Sequence, residues 1–260
     1  MEGRKVILKR IEAEKNSSFV TRNLRHDAKR YGSISHPNIV QFLGVTWIDG
    51  TDFAIVVEHM KQGTLNAVLS DSEVVKSFQS RLQMCLDVVG ALVFLHGNSQ
   101  YVRRLTSREV FVGAGGECKV NLLEIAPISD TVVETPIVFG AGELAWTAPE
   151  LVLRDRTEQD VRKSNVFAMG VLMCEILTGV SPYASAVDKV GNTLADIELF
   201  ARIKKKAPLA PHENSSLYNS LVLGLRDMIS QCLSNEPRTR PSAEEIQRVL
   251  VKYNEDSTKT

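Results

Sequence analysis

The stretch "YVRRLTSREVFV", Tyr101 to Val112, holds a polar loop between two apolar flanks. Tyr101 and Val102 lead in, Arg103 and Arg104 follow, and then come Leu105, the polar triplet Thr106-Ser107-Arg108, Glu109 and the apolar run Val110-Phe111-Val112. A short apolar run on each side of a polar turn predicts a loop that opens into a strand. Gly113-Ala114-Gly115-Gly116, just beyond, reads as a hairpin turn and not as a phosphate loop.

Outward from this loop the periodicity is helical. Leu82, Cys85, Leu86, Val89, Leu92, Val93 and Leu95 recur at helical spacing, as do Val171, Leu172, Cys174, Ile176 and Leu177. Two closing helices are predicted at about Leu217 to Leu233 and Ala243 to Tyr253. Toward the N-terminus the pattern changes. Val6-Ile7-Leu8, Ile39-Val40-Gln41-Phe42-Leu43 and Phe53-Ala54-Ile55-Val56-Val57 are β-rich runs, the last two separated by the turn Ile48-Asp49-Gly50, and Phe19 to Ser33 is a polar helical stretch. This predicts an α+β chain: a small sheet with one helix, then helices from Gly63 onward. No internal repeat or low-complexity segment interrupts it.

Composition narrows the function classes. With 260 residues and 43% hydrophobic content the chain can bury substantial cores. Lys plus Arg equal Asp plus Glu at 31 each, so no net field draws it to nucleic acid or an anionic membrane. Lys204-Lys205-Lys206 reads as a solvated helix end. Cys85, Cys118, Cys174 and Cys232 lack metal spacing and read as reduced core residues. No stretch approaches eighteen uninterrupted apolar residues and no signal-peptide core opens the chain, so the cytoplasm is the expected compartment.

The order of further stretches gives these pieces a family. "VILK" (6–9), "HPNIVQFLGV" (36–45), "VVEHMKQGTL" (56–65), "AWTAPEL" (145–151), "SNVFAMGVLMCEILTG" (164–179), "SPY" (181–183) and "NEPRTRPSAEEI" (235–246) follow one another as in a protein kinase domain, most like the tyrosine-kinase-like group, and the resemblance covers nearly the whole chain. It implies a single two-lobed domain over 1–260, with a small lobe over about 1–60, a large helical lobe over 61–254 and a polar tail over 255–260. It also implies that Glu150 pairs with Arg240 inside the large lobe, and that Tyr31, Phe42, Leu123 and Val102 form an apolar stack joining the lobes. Asn165 then stands at the base of that stack, where the family has an aspartate.

Position by position, the resemblance departs from catalytic chemistry. The family sets a carboxylate in the catalytic loop to receive the substrate hydroxyl's proton, with a downstream asparagine and the aspartate of D-F-G on Mg²⁺. Here Val102-Arg103-Arg104 lies over H-R-D, Glu109 over the asparagine and Leu122-Leu123-Glu124 over D-F-G. A guanidinium stays protonated at any workable pH and cannot act as a base. Losing a base costs about 10² to 10⁴-fold, and Leu122 offers no oxygen to a hard cation. Arg104 and Glu109 are expected instead to form an ion pair that closes the loop without metal.

Lys9 matches the lysine of V-A-I-K and is a weak phosphate contact, its helix partner falling near Asp27. The chain opens at the strand that follows a glycine-rich loop in the family, which leaves no phosphate clamp and makes Val6-Ile7-Leu8 an exposed sheet edge, expected to be covered by another kinase, a second copy or an upstream segment. Ile7 and Phe111 lie over the residues that sandwich adenine in the family, and both are larger, so they are expected to fill the slot. Together these points imply a pseudokinase, no enzyme and without cofactor or metal, that acts as an allosteric regulator or scaffold through protein contacts. The alternatives are an atypical Ser/Thr protein kinase using Glu109 or Glu124 for metal, and a nucleotide sensor without turnover. Ser129, Thr131 and Thr135 fall in the activation segment and are hydroxyls open to phosphorylation.

Overall fold

Three β-branched runs form the first sheet. In the computed structural model, which describes residues 5–10, 28–48, 52–71, 77–127, 143–153, 161–183, 196–205, 211 and 215–257, β1 (Val6–Arg10), β2 (Phe42–Ile48) and β3 (Asp52–Glu58) pair antiparallel in the order β1-β3-β2. Residues directly opposite share a face. The register sets Ile7 against Val57 and Lys9 against Ile55, with Ile55 against Val45 on the other side. Ile7, Lys9 and Val45 therefore share one face, and β1 is an edge of the sheet with Val6, Ile7 and Leu8 41–48% exposed.

The strand expected at 39–43 begins only at Phe42. Ile39 bridges Val120 in parallel, and Val40 N donates to Val120 O at 3.0 Å, so this segment crosses to a second sheet instead of extending the first. Of the helix expected over 19–33, residues 28–32 are helical (α1). Asp27, the turn residues Asp49 and Gly50, and Ser129, Thr131 and Thr135 lie outside the described residues.

The second sheet carries the C-terminal end of the Tyr101–Val112 stretch. β4 (Gly63–Thr64) leads into α2 (Leu65–Ser70), and α3 (Phe78–Gly97) leads through β5 (Gln100–Val102) to β6 (Val110–Val112) and β7 (Cys118–Val120). The order is β4-β6-β7, while β5 pairs with β8 (Ile125–Pro127). The β6–β7 connection is the expected hairpin. Gly113 N donates to Glu117 O at 2.9 Å, and Gly116 takes φ 91°, a conformation open to glycine at little cost.

The helices α4 (Pro149–Leu153), α5 (Val161–Thr178), α6 (Asp196–Lys204), α7 (Ser216–Ser220), α8 (Leu223–Cys232) and α9 (Ala243–Ser257) complete the described chain. α5 is buried almost all round, which explains why its sequence shows no polar stripe. It packs against α3 and α8, and at Gly170 an added Cβ would stand 2.6 Å from Cys232 Cβ, so only glycine permits this crossing. The helix expected over 217–233 is two helices. Leu221 and Val222 take extended ψ angles of 147° and 143°, and the break turns Leu221 into the core at 8% exposure. All four cysteines are buried and free. α3 is long and apolar enough to cross a membrane by length and composition, but it packs against α5 and α9 as a core helix. The architecture is an α+β fold, a small β-sheet region followed by a mostly helical part.

Candidate functional site

The Tyr101–Val112 stretch is held from below by α5. Asn165 Oδ1 accepts from Val102 N at 2.9 Å, and Asn165 Nδ2 donates to Val102 O at 2.7 Å. Both side chains are buried, and His96 Nε2 lies 3.4 Å from the same Oδ1. Above the clamp, Ser107 Oγ donates to Glu175 Oε1 at 2.8 Å, while Ser107 O accepts from Asn66 N at 2.9 Å. The loop is thereby tied to α5 at two points and to α2 at one.

Arg104 is the hub of the loop's outer side. Its guanidinium lies 3.6 Å from Glu109, at ion-pair range and beyond a good hydrogen bond, and it donates to Glu143 Oε1 at 3.4 Å. Glu109 is itself doubly joined to Asn121, whose N donates to Glu109 O at 2.9 Å and whose Nδ2 donates to Glu109 Oε2. Asn121 Oδ1 in turn caps Leu123 N at 3.1 Å and opens the 3₁₀ turn Leu122–Glu124. Leu122 is fully buried, Leu123 half-buried, and the Glu124 side chain lies outside the described residues.

This donor set does not fit a hard divalent cation. Leu122 presents hydrocarbon, and the Glu109 carboxylate is engaged with Asn121 and Arg104. Among the described residues no group of three or more His, Cys, Asp or Glu comes together.

The positions of the apolar stack are linked in part. Tyr31 is buried and its hydroxyl donates to Leu123 O at 3.3 Å, while Arg30 Nη2 donates to Ile125 O at 3.0 Å. The Phe42 ring lies against Gly32, 3.7 Å from where a Cβ would stand. Val102 sits below, on the Asn165 clamp. Lys9 is exposed on β1, Ile7 is 46% exposed on the same face, and Phe111 is half-buried on β6 opposite Thr64 and Lys119.

In the large lobe, Arg240 meets Glu150 through two hydrogen bonds of 2.7 and 2.8 Å. At 1% exposure Arg240 also donates to Ser234 O and Lys163 O and lies over the Phe167 ring at 5.1 Å, so its buried charge is matched on every side. Arg103, Arg104, Glu143, Thr147, Ser164 and Asn165 line an open cleft beside the loop. Sequence reasoning missed Glu143, Asn121 and Glu175. Glu175 alone carried a signal, as the one acid inside the apolar run Val171–Leu177; nothing in sequence spacing ties Glu143 to Arg104 across 39 residues.

The model of the family described as protein tyrosine and serine/threonine kinase matches residues 1–250. This chain belongs to that kinase family. Among its curated relatives, the probable serine/threonine-protein kinase drkB of Dictyostelium discoideum is 22% identical over 95% of this chain and 33% of its own length. The tyrosine-protein kinase SRK3 of Spongilla lacustris is 26% identical over 94% of this chain and 68% of its own. The dual specificity testis-specific protein kinase 2 of Mus musculus is 27% identical over 88% and 37%. The chain spans about a third of the length of the first curated relatives it matches. These findings correct one expectation. The reading of Arg104, Glu109 and Leu122 as marking a chain that is no enzyme is overturned, because the family match and the kinases among its relatives point to an enzyme class.

Proposed function

We propose that this kinase-family domain acts in intracellular signalling through protein contacts, as an allosteric regulator or scaffold of a partner such as another kinase. The observation that supports it most is Arg104. At the loop position where the resemblance expects a carboxylate, a cation is held between Glu109 and Glu143, so the loop is shaped by contacts inside the protein. The edge strand β1, with three exposed apolar residues, offers a surface for strand pairing, with a partner's strand or a second copy. A cytoplasmic setting agrees with four buried, free cysteines.

A second reading, an atypical protein kinase that recruits Glu109, is favoured by the kinases among the relatives. Phosphate transfer in Mg²⁺ and in Mn²⁺ by wild type and by Glu109→Gln separates the two. Regulation through contacts expects equal transfer by both proteins. A selective loss of about tenfold or more in Glu109→Gln, the lower end of what removing a positioned catalytic group costs, moves the assignment to the second reading.

A further inference from the structure

Beneath the loop lies a carboxyl group that neither reading uses. Glu175 is 1% exposed on α5, in a helical run whose residues from Val171 to Leu177 are all buried. Its Oε1 accepts from Ser107 Oγ at 2.8 Å. Its Oε2 completes no hydrogen bond, and neither does Nε1 of Trp146, a buried residue of the 3₁₀ turn Leu144–Trp146 that packs on α5. The indole and the Asn66 amide still approach closely enough to favour the ionised carboxyl. A buried acceptor and a buried donor that both lack a partner, on two elements packed together, are costly in either protonation state unless they join. An ionised carboxylate joins them, since it accepts on both oxygens, whereas a protonated one keeps only its carbonyl oxygen as a good acceptor.

We propose that Glu175 is a proton-operated switch between the Arg104–Glu109 loop and the Leu144–Trp146 turn. Ionised, it takes hydrogen bonds from Ser107 and Trp146 together; protonated, it keeps Ser107 and releases Trp146. Trp146 also lines the open cleft with Arg104, Glu143 and Thr147, so its release moves a wall of that cleft.

The surrounding groups place the switch in a useful range. Burial pushes the Glu175 carboxyl up to about 7, against the opposing pull of Ser107, Trp146, Asn66 and the charge of Arg108. The adjoining Cys174 thiol is pushed further up by its own burial and stays neutral. Of the charged groups on the elements packed around it, Arg108 favours the ionised carboxyl, while Arg104 and Glu143 lie on the cleft side of Trp146.

The chain has two tryptophans, Trp47 and Trp146, so Trp47→Phe leaves Trp146 as the only indole emitter. Its emission, followed from pH 5.5 to 8.5, is expected to titrate with a midpoint near 7. The same scan in Trp47→Phe/Glu175→Gln is expected to be flat. In Trp47→Phe/Ser107→Ala, which removes the hydrogen bond that favours ionisation, the midpoint moves upward. A flat scan in Trp47→Phe, a titration that survives Glu175→Gln, or an unmoved midpoint in the Ser107→Ala protein each overturns the proposal. The Ser107 variant keeps the test decisive if Glu175→Gln fails to fold.

Discussion

Asn165 grips Val102 from both sides, accepting from its N–H and donating to its C=O within 3 Å. An aspartate at this place accepts but cannot donate, so the amide makes one hydrogen bond that a carboxylate cannot. Asn165→Asp, which restores the acid expected from the family, faces its second oxygen toward Val102 O in a buried site. It is expected to destabilise the chain by about 1–3 kcal/mol, the cost of leaving a buried polar group unpaired, measured as a lower urea midpoint at unchanged slope.

The Glu150–Arg240 pair is the opposite case, a charge that cannot be left alone. Arg240 is 1% exposed, and its carboxylate partner takes two of its donors. Glu150→Gln keeps the shape and removes the charge. It is expected to cost about 3–5 kcal/mol, as when one member of a buried pair is removed, and equilibrium unfolding reads this directly. A loss below about 1 kcal/mol indicates that Ser234 O and Lys163 O hold the guanidinium unaided.

What was legible in the sequence was whatever depends on local pattern or ordered motifs. The β-rich runs near the N-terminus, the Gly113–Gly116 hairpin and the buried helix α5 follow from periodicity and turn chemistry. The α7–α8 break was hidden, because Leu217 to Leu233 carries neither proline nor a strong cap at Val222 and the core's demand for Leu221 decides the geometry. The candidate site divides in the same way. Arg104 and Glu109 lie five residues apart in one loop, so their proximity was readable, whereas Glu143 and Glu175 reach the loop from distant segments.

Around Arg104 the two carboxylates differ in weight. Glu143 is hydrogen-bonded at 3.4 Å and Glu109 stands at 3.6 Å, and the arginine side chain is 41% exposed. Double-mutant cycles of Arg104→Met with Glu143→Gln and with Glu109→Gln are expected to give couplings of about 0.2–1 kcal/mol, the first larger. Both are expected to shrink between 0.05 and 1 M salt as screening shortens to about 3 Å. Purely additive effects at low salt show two charges that share a place without an interaction.

Glu175 also marks the stability profile. Its carboxyl is raised to about 7 in the folded chain, so the benefit of holding it neutral is complete below the usual carboxylate range and is lost as pH rises through 7. Wild-type Tm is expected to fall relative to Glu175→Gln between pH 5 and pH 8. A difference between the two proteins that stays constant with pH shows that the carboxyl does not titrate there.

The family resemblance makes Ile7 and Phe111 the residues on which nucleotide binding can be tested. Ile7 shares its face with Lys9, and Phe111 stands half-buried on β6, both larger than the residues the family resemblance expects around adenine. Their bulk is expected to exclude the ring, so that millimolar ATP with Mg²⁺ leaves Tm unchanged. Because Ile7 is 46% exposed, trimming it to alanine removes little buried surface, which makes Ile7→Ala/Phe111→Leu a test of space with only a modest loss of stability. That variant is expected to gain a shift. A ligand at 100 times its Kd adds about 2.7 kcal/mol, and for a chain this long each kcal/mol moves Tm by roughly 2–4 °C. A shift of several degrees in the wild type reverses the expectation and makes the chain a nucleotide binder, with Lys9 as the first residue to substitute.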